Sequence, residues 1–507
     1  MAKTGPDRLS NRTAAGATVL IVSRLIARCM DFATLLVLGR LLSPADFGLV
    51  AIAMSVMMIV EAVSELPVGQ ALVRLPVLTN PHYDTAFTLF LLRGVGLALI
   101  LIGLSWPLAQ IYGDDRLIGL ICALGIAPAA RSLGSIRTID FAKKLDFRPN
   151  LICDFVGKSS ALAISVSLAW GTGSYWSIAA GTIAAPVAGA IASYLIAPYW
   201  PKLTLREWRE FAGFLGWSTA SQAVNALNWQ MDQLLLGRFV NRLDLGRFSM
   251  ASNLAVLPTQ VIVVQVLNPL MVAFSLIRGN SGRLAAAYQH SATAIVGAGI
   301  PIMVGISLIS EPMIRIILGE QWMEAAPILR WLSLAIVPSL FVAPLAPLSM
   351  ALNQTKIFLR LSSIEFIFKF PLMLFGTLYY GLAGVLVVRL TTAIVVAACS
   401  MFAVRGLIRL PIRTQVFGPW RPIGSCLLMA MIVFPLERRL TGVQEFLPLV
   451  LGLAAVVSSG AATYGASIFL LWRLAGCPDG FESRIVGAVR KFWHEAAEAP
   501  RQDFDPE

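Results

Sequence analysis

LVLGRLLSPADFGLVAIA, residues 36–53, returns later in the chain as LLLGRFVNRLDLGRFSMA, residues 234–251. The two stretches carry the same residue at seven of eighteen aligned positions. Four of the matched pairs are Gly39 and Gly237, Arg40 and Arg238, Asp46 and Asp244, and Gly48 and Gly246. An acidic residue after a glycine-containing turn favours the start of a new helix, so each copy predicts a helical hairpin. The recurrence indicates an internal duplication.

The composition is that of an integral membrane protein. Hydrophobic residues make up 57% of the chain, charged residues only 13%, and the mean hydropathy is +0.75. A soluble protein carries about 25% charged residues. Windows of about 20 apolar residues, the length of a membrane-crossing helix, recur about fourteen times. The sequence therefore predicts an all-α polytopic membrane protein with about fourteen transmembrane helices.

The duplication predicts how these helices are grouped. The first six and the next six form two homologous six-helix bundles of equal orientation, and two C-terminal helices have no counterpart. Related membrane halves of this kind are typical of transporters, with the substrate path between them. The predicted segments are a cytoplasmic N-terminus (1–13), the two bundles (14–199 and 200–405), two additional helices (406–473) and a cytoplasmic tail (474–507).

The net charge of +12 does not indicate nucleic-acid binding, because the basic residues collect on one side of the predicted membrane. That side carries Lys143, Lys144, Arg148, Lys202, Arg206, Arg209, Arg405, Arg409 and Arg413. The positive-inside rule therefore predicts cytoplasmic N- and C-termini, with a bacterial inner membrane as the location.

Several cations fall within or at the edges of the predicted helices. They are Arg24, Arg28, Arg93, Arg131, Lys158, Arg315, Arg330, Lys369 and Arg389. At about 3 kcal/mol each, exposing them all to lipid costs on the order of 25 kcal/mol. Most must therefore face a water-filled cavity, a partner charge or an interface.

The first predicted helix carries a charged face. Arg24, Arg28 and Asp31 follow the spacing i, i+4, i+7 and share one side of the helix. One interpretation is a central cavity in which Arg24 and Arg28 bind an anionic substrate. The alternative is that Arg28 and Asp31 pair locally and only stabilise helix packing.

The seventh predicted helix has a corresponding polar stripe, which includes Gln222, Asn225 and Asp232. This stripe is expected to form the opposite wall of the cavity. Arg93 and Arg389 have no acidic neighbour in the sequence, so each either reaches the cavity or pairs with an acid on another helix.

Two further helices each carry an acid four residues before a lysine, Asp154 with Lys158 and Glu365 with Lys369. This order favours an ion pair within the helix. We interpret both as structural ion pairs, with a role in cation coupling as the alternative.

Catalytic and metal-binding patterns are absent from the sequence. The histidines, His82, His290 and His494, lie in predicted loops or in the tail, and the six cysteines lack metal-ligand spacing. We therefore expect no catalytic residues, no metal, no cofactor and no enzymatic activity.

The hairpin at 38–53, together with three other stretches, resembles a known family. These are LPVGQALVR at 66–74, DQLLLGRFV at 232–240 and LGEQWMEAAPILRWLSLA at 318–335. The chain resembles the bacterial polysaccharide transporters, or oligosaccharide flippases, of the multidrug/oligosaccharidyl-lipid/polysaccharide superfamily. The resemblance extends diffusely over residues 14–475.

This resemblance implies a V-shaped cavity and alternating-access transport of a polyprenyl-diphosphate-linked oligosaccharide, for exopolysaccharide, capsule or O-antigen assembly. It implies coupling to a proton or sodium gradient, with Asp31 and Asp232 as candidate sites. Expected partners are membrane lipids and a polysaccharide polymerase or export machinery. The candidate substrate-binding residues are Arg24, Arg28, Arg93, Gln222, Asn225 and Arg389.

Three alternatives remain at this stage. A peptidoglycan-precursor flippase is close in chemistry, and a cation-coupled multidrug exporter of the same superfamily favours an acidic cavity. A membrane polysaccharide polymerase or ligase is the least favoured, because it needs a large outer loop.

Overall fold

A computed structural model describes residues 6–65, 78–144, 146–208, 216–354, 356–440 and 445–477, with a few single positions between these ranges. The predicted tail lies almost entirely outside the described residues. The described part is helical, without a strand. The first helices are α1 (Pro6–Leu41), α2 (Pro44–Val63), α3 (Asn80–Tyr112), α4 (Arg116–Leu124), α5 (Ile126–Ser132), α6 (Ile139–Lys143), α7 (Arg148–Thr172) and α8 (Trp176–Ile196).

The later helices follow the same pattern of long segments joined by short turns. They are α9 (Gly216–Phe239), α10 (Arg242–Pro258), α11 (Val264–Ile277), α12 (Ser281–Leu308), α13 (Ser310–Ile317), α14 (Ala325–Leu340), α15 (Leu345–Ala351), α16 (Lys356–Ile408), α17 (Ile412–Phe417), α18 (Trp420–Arg438) and α19 (Phe446–Leu474). A π-helical stretch, Thr259–Val263, joins α10 to α11 directly after Pro258.

Within the described ranges, nine helical segments are long and apolar enough to cross a membrane. The all-α polytopic fold is therefore confirmed, whereas the number of fourteen transmembrane helices stays a prediction. One of the nine segments, α16, contains two helices, because Gly381 inside it has φ 57° and ψ −135°. A Cβ on Gly384 would lie 2.1 Å from the carbonyl oxygen of Gly376, so the chain on either side of Gly381 packs tightly together.

The helices form two compact units. One contains Met1–Leu254, Ile317–Leu332 and Phe358–Thr392, and the other contains Ala255–Ile316, Ser333–Ile357 and Ala393–Glu507. These units are defined by packing, so their boundaries differ from those of the predicted bundles, which stay a prediction. In the second unit, Val296 and Met303 of α12 form a core with Met429 and Val433 of α18.

The two copies of the repeated stretch form the predicted hairpins, and both second helices begin with the same type of cap. The Ser43 hydroxyl donates to Asp46 Oδ2 (2.6 Å) and accepts from the Asp46 backbone N–H (3.3 Å). In the second copy, Asn241 Oδ1 accepts from the Asp244 backbone N–H (2.7 Å), and Asn241 Nδ2 donates to Asp244 Oδ2 (2.9 Å). Serine and asparagine are interchangeable N-caps, so the sequence difference preserves the hairpin.

The two hairpins contact each other through matched glycines. A Cβ on Gly48 would lie 2.0 Å from the carbonyl oxygen of Arg242, and one on Gly246 would lie 1.7 Å from that of Pro44. Gly39 and Gly237 are likewise sites of close packing: an added Cβ would lie 2.8 Å from a side-chain carbon of Leu318 in the first case and of Ile52 in the second. These glycines therefore permit close helix approach, rather than the tight turn that the sequence suggested.

We expect Gly246→Ala to destabilise the first unit by about 1–3 kcal/mol, because the added methyl group collides with backbone that cannot rotate away. Gly103→Ala is the matched control, since no atom lies within 4 Å of its added Cβ. Thermal unfolding of both variants in the same detergent measures the effect. Equal unfolding temperatures would show that the glycine contact does not hold the hairpins together.

Candidate functional site

A buried group of three charges lies in the first unit. Asp232 of α9 is fully buried, with Lys369 Nζ 2.7 Å from its Oδ1 and Arg389 Nη1 2.8 Å from its Oδ2. Lys369 is also buried, while the Arg389 side chain keeps 21% of its surface exposed. Each charge therefore has a direct contact with an opposite charge, as a charge removed from water requires, although the two cations share one carboxylate.

The break at Gly381 makes this group possible. Lys369 and Arg389 are twenty residues apart, which is about 30 Å along a straight helix. Both nevertheless contact Asp232, because the chain turns back at Gly381 between them. The left-handed φ of Gly381 is a conformation that glycine adopts without strain.

Hydrogen bonds fasten α9 to α16 beside the three charges. Lys369 Nζ donates to the carbonyl oxygen of Asn228 (2.6 Å), and Asn228 Nδ2 donates to that of Ser362 (2.9 Å). The Ser362 hydroxyl donates to Asn225 Oδ1 (2.8 Å). Asn225 therefore belongs to the hydrogen-bonded contact between α9 and α16. Gln222 lies partly buried one turn before it.

The first predicted bundle, which contains the first copy of the repeated stretch, has a related but more exposed arrangement of charges. Lys158 of α7 contacts Asp31 of α1, and the Asp31 carboxylate lies 3.9 Å from Arg28. The side chains of Asp31 and Lys158 are 36% and 37% exposed. Arg24 is exposed, and among the described residues it has no ion-pair partner. The two copies thus share a lysine–aspartate contact between corresponding helices, buried in one copy and accessible in the other.

These contacts differ from the predicted pairs within helices. Lys158 pairs with Asp31 rather than Asp154, and Lys369 pairs with Asp232 rather than Glu365. A pair between helices also holds the helices together, which a pair within one helix does not. In both bundles the lysine therefore pairs with an aspartate of the bundle's first helix, and not with the acid four residues before it on its own helix.

Arg93, another predicted substrate ligand, contacts the end of a helix. Its Nε donates to the carbonyl oxygen of Ser64 (2.6 Å), and its Nη2 donates to that of Glu61 (3.1 Å). These carbonyls belong to the C-terminal end of α2, where a cation is favourable. The Glu61 side chain pairs with Arg131.

A cavity of about 820 Å³ opens inside the first unit, between α5, α7, α8 and the turn before α6. Its charged and polar lining residues include Asp154, Lys158, Arg131 and Asn150. Its volume is that of a small-molecule binding site. Lys158 therefore connects Asp31 with a cavity that the sequence did not predict.

Sequence reasoning also missed an ion group at the hairpin contact. Arg242 Nη2 lies 2.7 Å from Asp114 Oδ2, and Arg116 Nε lies 3.1 Å from Asp114 Oδ1. Hydrogen bonding to Asp114 raises the pKa of Arg116. The sequence signal for this ion group was Arg242, which stands in the second copy where the first copy has Pro44. That difference did not indicate Asp114 as its partner.

The segment between the predicted bundles is fastened to α3 by another missed acid, the buried Asp84. It accepts from the hydroxyl of Tyr199 and from the backbone N–H of Lys202 (3.0 Å). Burial and this hydrogen bond raise the pKa of Tyr199, which keeps the hydroxyl protonated as a donor. The Thr204 backbone N–H donates to Thr88 Oγ1 nearby (3.0 Å).

Comparison with known proteins assigns the family. A family model described as "Polysaccharide biosynthesis protein" matches residues 37–327, more than half of the chain. The chain belongs to this family. The matched residues include both hairpins and Asp232, and they end before Lys369 and Arg389.

The chain is also similar to curated proteins with descriptive names. The succinoglycan biosynthesis transport protein ExoT of Rhizobium meliloti (strain 1021) is 24% identical over 315 residues, 60% of this chain and 62% of ExoT. The match thus spans less than two thirds of ExoT. The lipopolysaccharide biosynthesis protein WzxC of Escherichia coli (strain K12) is 20% identical over 443 residues, 86% of this chain and 89% of WzxC.

The fold is also found in a solved transporter structure. Lipid II flippase MurJ in an inward closed conformation matches with a TM-score of 0.69 and 16% sequence identity. The match covers 90% of this chain and 99% of MurJ. This likeness shows that the chain shares the fold of MurJ.

We expect Asp232→Asn to lower the free energy of unfolding by about 3–5 kcal/mol, because Lys369 and Arg389 then lose their buried counter-charge. Asp31→Asn is the comparison, with an expected loss of about 1 kcal/mol or less because that pair is partly exposed. The double variant Asp232→Asn/Lys369→Met recovers part of the loss. Thermal unfolding in detergent measures the stability of all three variants. Equal losses of stability for the two single variants would contradict the role of Asp232 as the buried counter-charge of Lys369 and Arg389.

Proposed function

We propose that this protein moves a polyprenyl-diphosphate-linked oligosaccharide from the inner to the outer leaflet of a bacterial inner membrane. The oligosaccharide is a repeat unit for exopolysaccharide, capsule or O-antigen assembly. Family membership and the transporter fold support this proposal. The names of ExoT and WzxC, a succinoglycan transport protein and a lipopolysaccharide biosynthesis protein, support a polysaccharide precursor as the cargo.

The observation that carries the proposal is the set of cations along α1 and α16. Arg24 is exposed without an ion-pair partner among the described residues, and Arg28 lies at the long distance of 3.9 Å from Asp31. On α16, Arg389 shares one carboxylate with Lys369 and stays partly exposed. Arginine binds phosphate oxygens through paired N–H groups, so these side chains suit a diphosphate.

The contacts support different roles for the two candidate coupling residues. Asp31 is a third exposed and has one close cation, so a proton or sodium ion can reach it and displace Lys158. Asp232 is buried between two cations, which suits a fixed structural role. We therefore favour Asp31 for coupling to a proton or sodium gradient. Selective collapse of each gradient by an ionophore identifies which one drives export.

The same cations weigh against the multidrug exporter, since a cationic drug needs an acidic cavity. A peptidoglycan precursor is also linked through a diphosphate and would suit these cations equally well, so the sugar must be identified by experiment. The polymerase or ligase is disfavoured because the described connections between helices contain no inserted domain. The proposal includes cytoplasmic termini and a polymerase or export complex that receives the cargo.

A deletion strain tests the transport assignment. Loss of the protein should abolish surface polysaccharide and cause the lipid-linked repeat unit to accumulate on the inner leaflet. Normal surface polysaccharide in the deletion strain would contradict the proposal. Loss of cell-wall integrity, with intact polysaccharide export, would instead indicate a peptidoglycan precursor.

We expect Arg28→Gln and Arg24→Gln to reduce polysaccharide export about tenfold or more, because each removes a charge-assisted hydrogen bond to the cargo. Arg283→Gln, which alters an exposed arginine in the second unit, is the matched control. Export is measured in the complemented deletion strain, with membrane abundance determined by immunoblot. Wild-type export by both α1 variants would exclude these arginines from the substrate site.

A further inference from the structure

Three arginines border a cavity in the second unit that the proposed transport path does not use. Arg405, Arg409 and Arg413 line a space of about 570 Å³ together with Pro411 and Ile412. The three side chains recur at four-residue intervals and are all exposed. The cavity lies where α16 ends and the short helix α17 begins, between two membrane-crossing segments. Its position is therefore at a membrane surface.

In the part of the chain that the structure describes, this arginine cluster has no acidic partner. The sequence contains no aspartate or glutamate between Glu365 and Glu437. Within the described ranges, none of the three guanidinium groups takes part in an ion pair. Three like charges held around one cavity attract an anion, and the surface of a membrane supplies anions as lipid headgroups.

The backbone at the cluster is fixed in an unusual conformation. Arg409 has φ 56°, in the left-handed region that costs a non-glycine residue about 1–2 kcal/mol. Its N–H donates to the carbonyl oxygen of Arg405 (3.0 Å). The buried side chain of Gln415 donates to the carbonyls of Met401 (3.1 Å) and Leu410 (3.0 Å). Hydrogen bonds thus hold the turn while its arginines stay exposed.

Exposed aromatic residues follow the arginine cluster closely in the sequence. Phe417 and Trp420 are 68% and 49% exposed, which is typical of side chains at a membrane–water interface. Gly418 keeps α17 close to α12, since a Cβ there would lie 3.1 Å from Gln289 Nε2. The region therefore offers cations for a headgroup and aromatic surface for the adjoining glycerol and acyl groups.

We propose that Arg405, Arg409 and Arg413 bind the phosphate of an anionic phospholipid headgroup. Guanidinium groups form paired hydrogen bonds with phosphate oxygens, and the cavity has the volume of a small ligand site. The bound lipid places one negative charge among the three cations and occupies the turn between α16 and α17. This site belongs to the resident membrane lipid and is separate from the residues assigned to the transported cargo.

The test is lipid binding by the purified full-length protein, measured by native mass spectrometry during titration with phosphatidylglycerol or phosphatidylcholine. We expect preferential binding of phosphatidylglycerol, reduced about tenfold or more in Arg405→Gln/Arg409→Asn/Arg413→Gln. Asparagine at 409 tolerates the left-handed backbone, so the turn is preserved. The matched control is Arg278→Gln/Arg283→Gln/Arg439→Gln, which removes the same charge from other exposed positions.

Several results would overturn the proposal. They are equal binding of the two lipids by the wild type, undiminished phosphatidylglycerol binding by the cluster variant, or an equal loss in the control. Competition by inorganic phosphate at the same concentration as the lipid would indicate a free-phosphate site. Stronger competition by a polyprenyl diphosphate would indicate a cargo site. If the triple variant does not fold, Arg413→Gln alone should still weaken binding about threefold or more.

Discussion

The hydrocarbon interior admits a charged side chain only when a partner charge or water compensates it, and Asp232 shows how this chain satisfies that constraint. One fully buried carboxylate contacts both Lys369 and Arg389. The contact fixes α9 against both parts of α16 and requires the reversal at Gly381. The first copy meets the same constraint differently, with Asp31 and Lys158 left about a third exposed. The two lysine–aspartate contacts are therefore similar in type, but one is buried and the other is accessible.

The fold was largely predictable from the sequence, because helix length and apolar composition are local properties. The hairpins followed from the repeated stretch, and the break within α16 followed from two separate apolar windows. The role of Gly48 and Gly246 was not predictable, since it depends on which helices cross. The second unit joins Ala255–Ile316 to later segments, a grouping that chain order alone does not reveal.

The site was predictable in its residue types but not in its pairings. The sequence identified Asp31, Asp232, Lys158 and Lys369 as charged groups within helices, and all four take part in ion pairs. Spacing along one helix favoured Asp154 and Glu365 as partners, because an i, i+4 pattern carries no information about neighbouring helices. Arg93 was missed as the cap of α2 for the same reason: its acceptors lie on another helix.

The central claim is that cations of the membrane-spanning helices recognise the diphosphate of a lipid-linked oligosaccharide. The most direct measurement is transport in vesicles that contain only the purified protein, with an impermeant enzyme added outside to modify cargo that has crossed. The diphosphate-linked oligosaccharide should cross, whereas an analogue with the same sugar and lipid but an uncharged linkage should not. Equal transport of both compounds, or of neither, would contradict the claim.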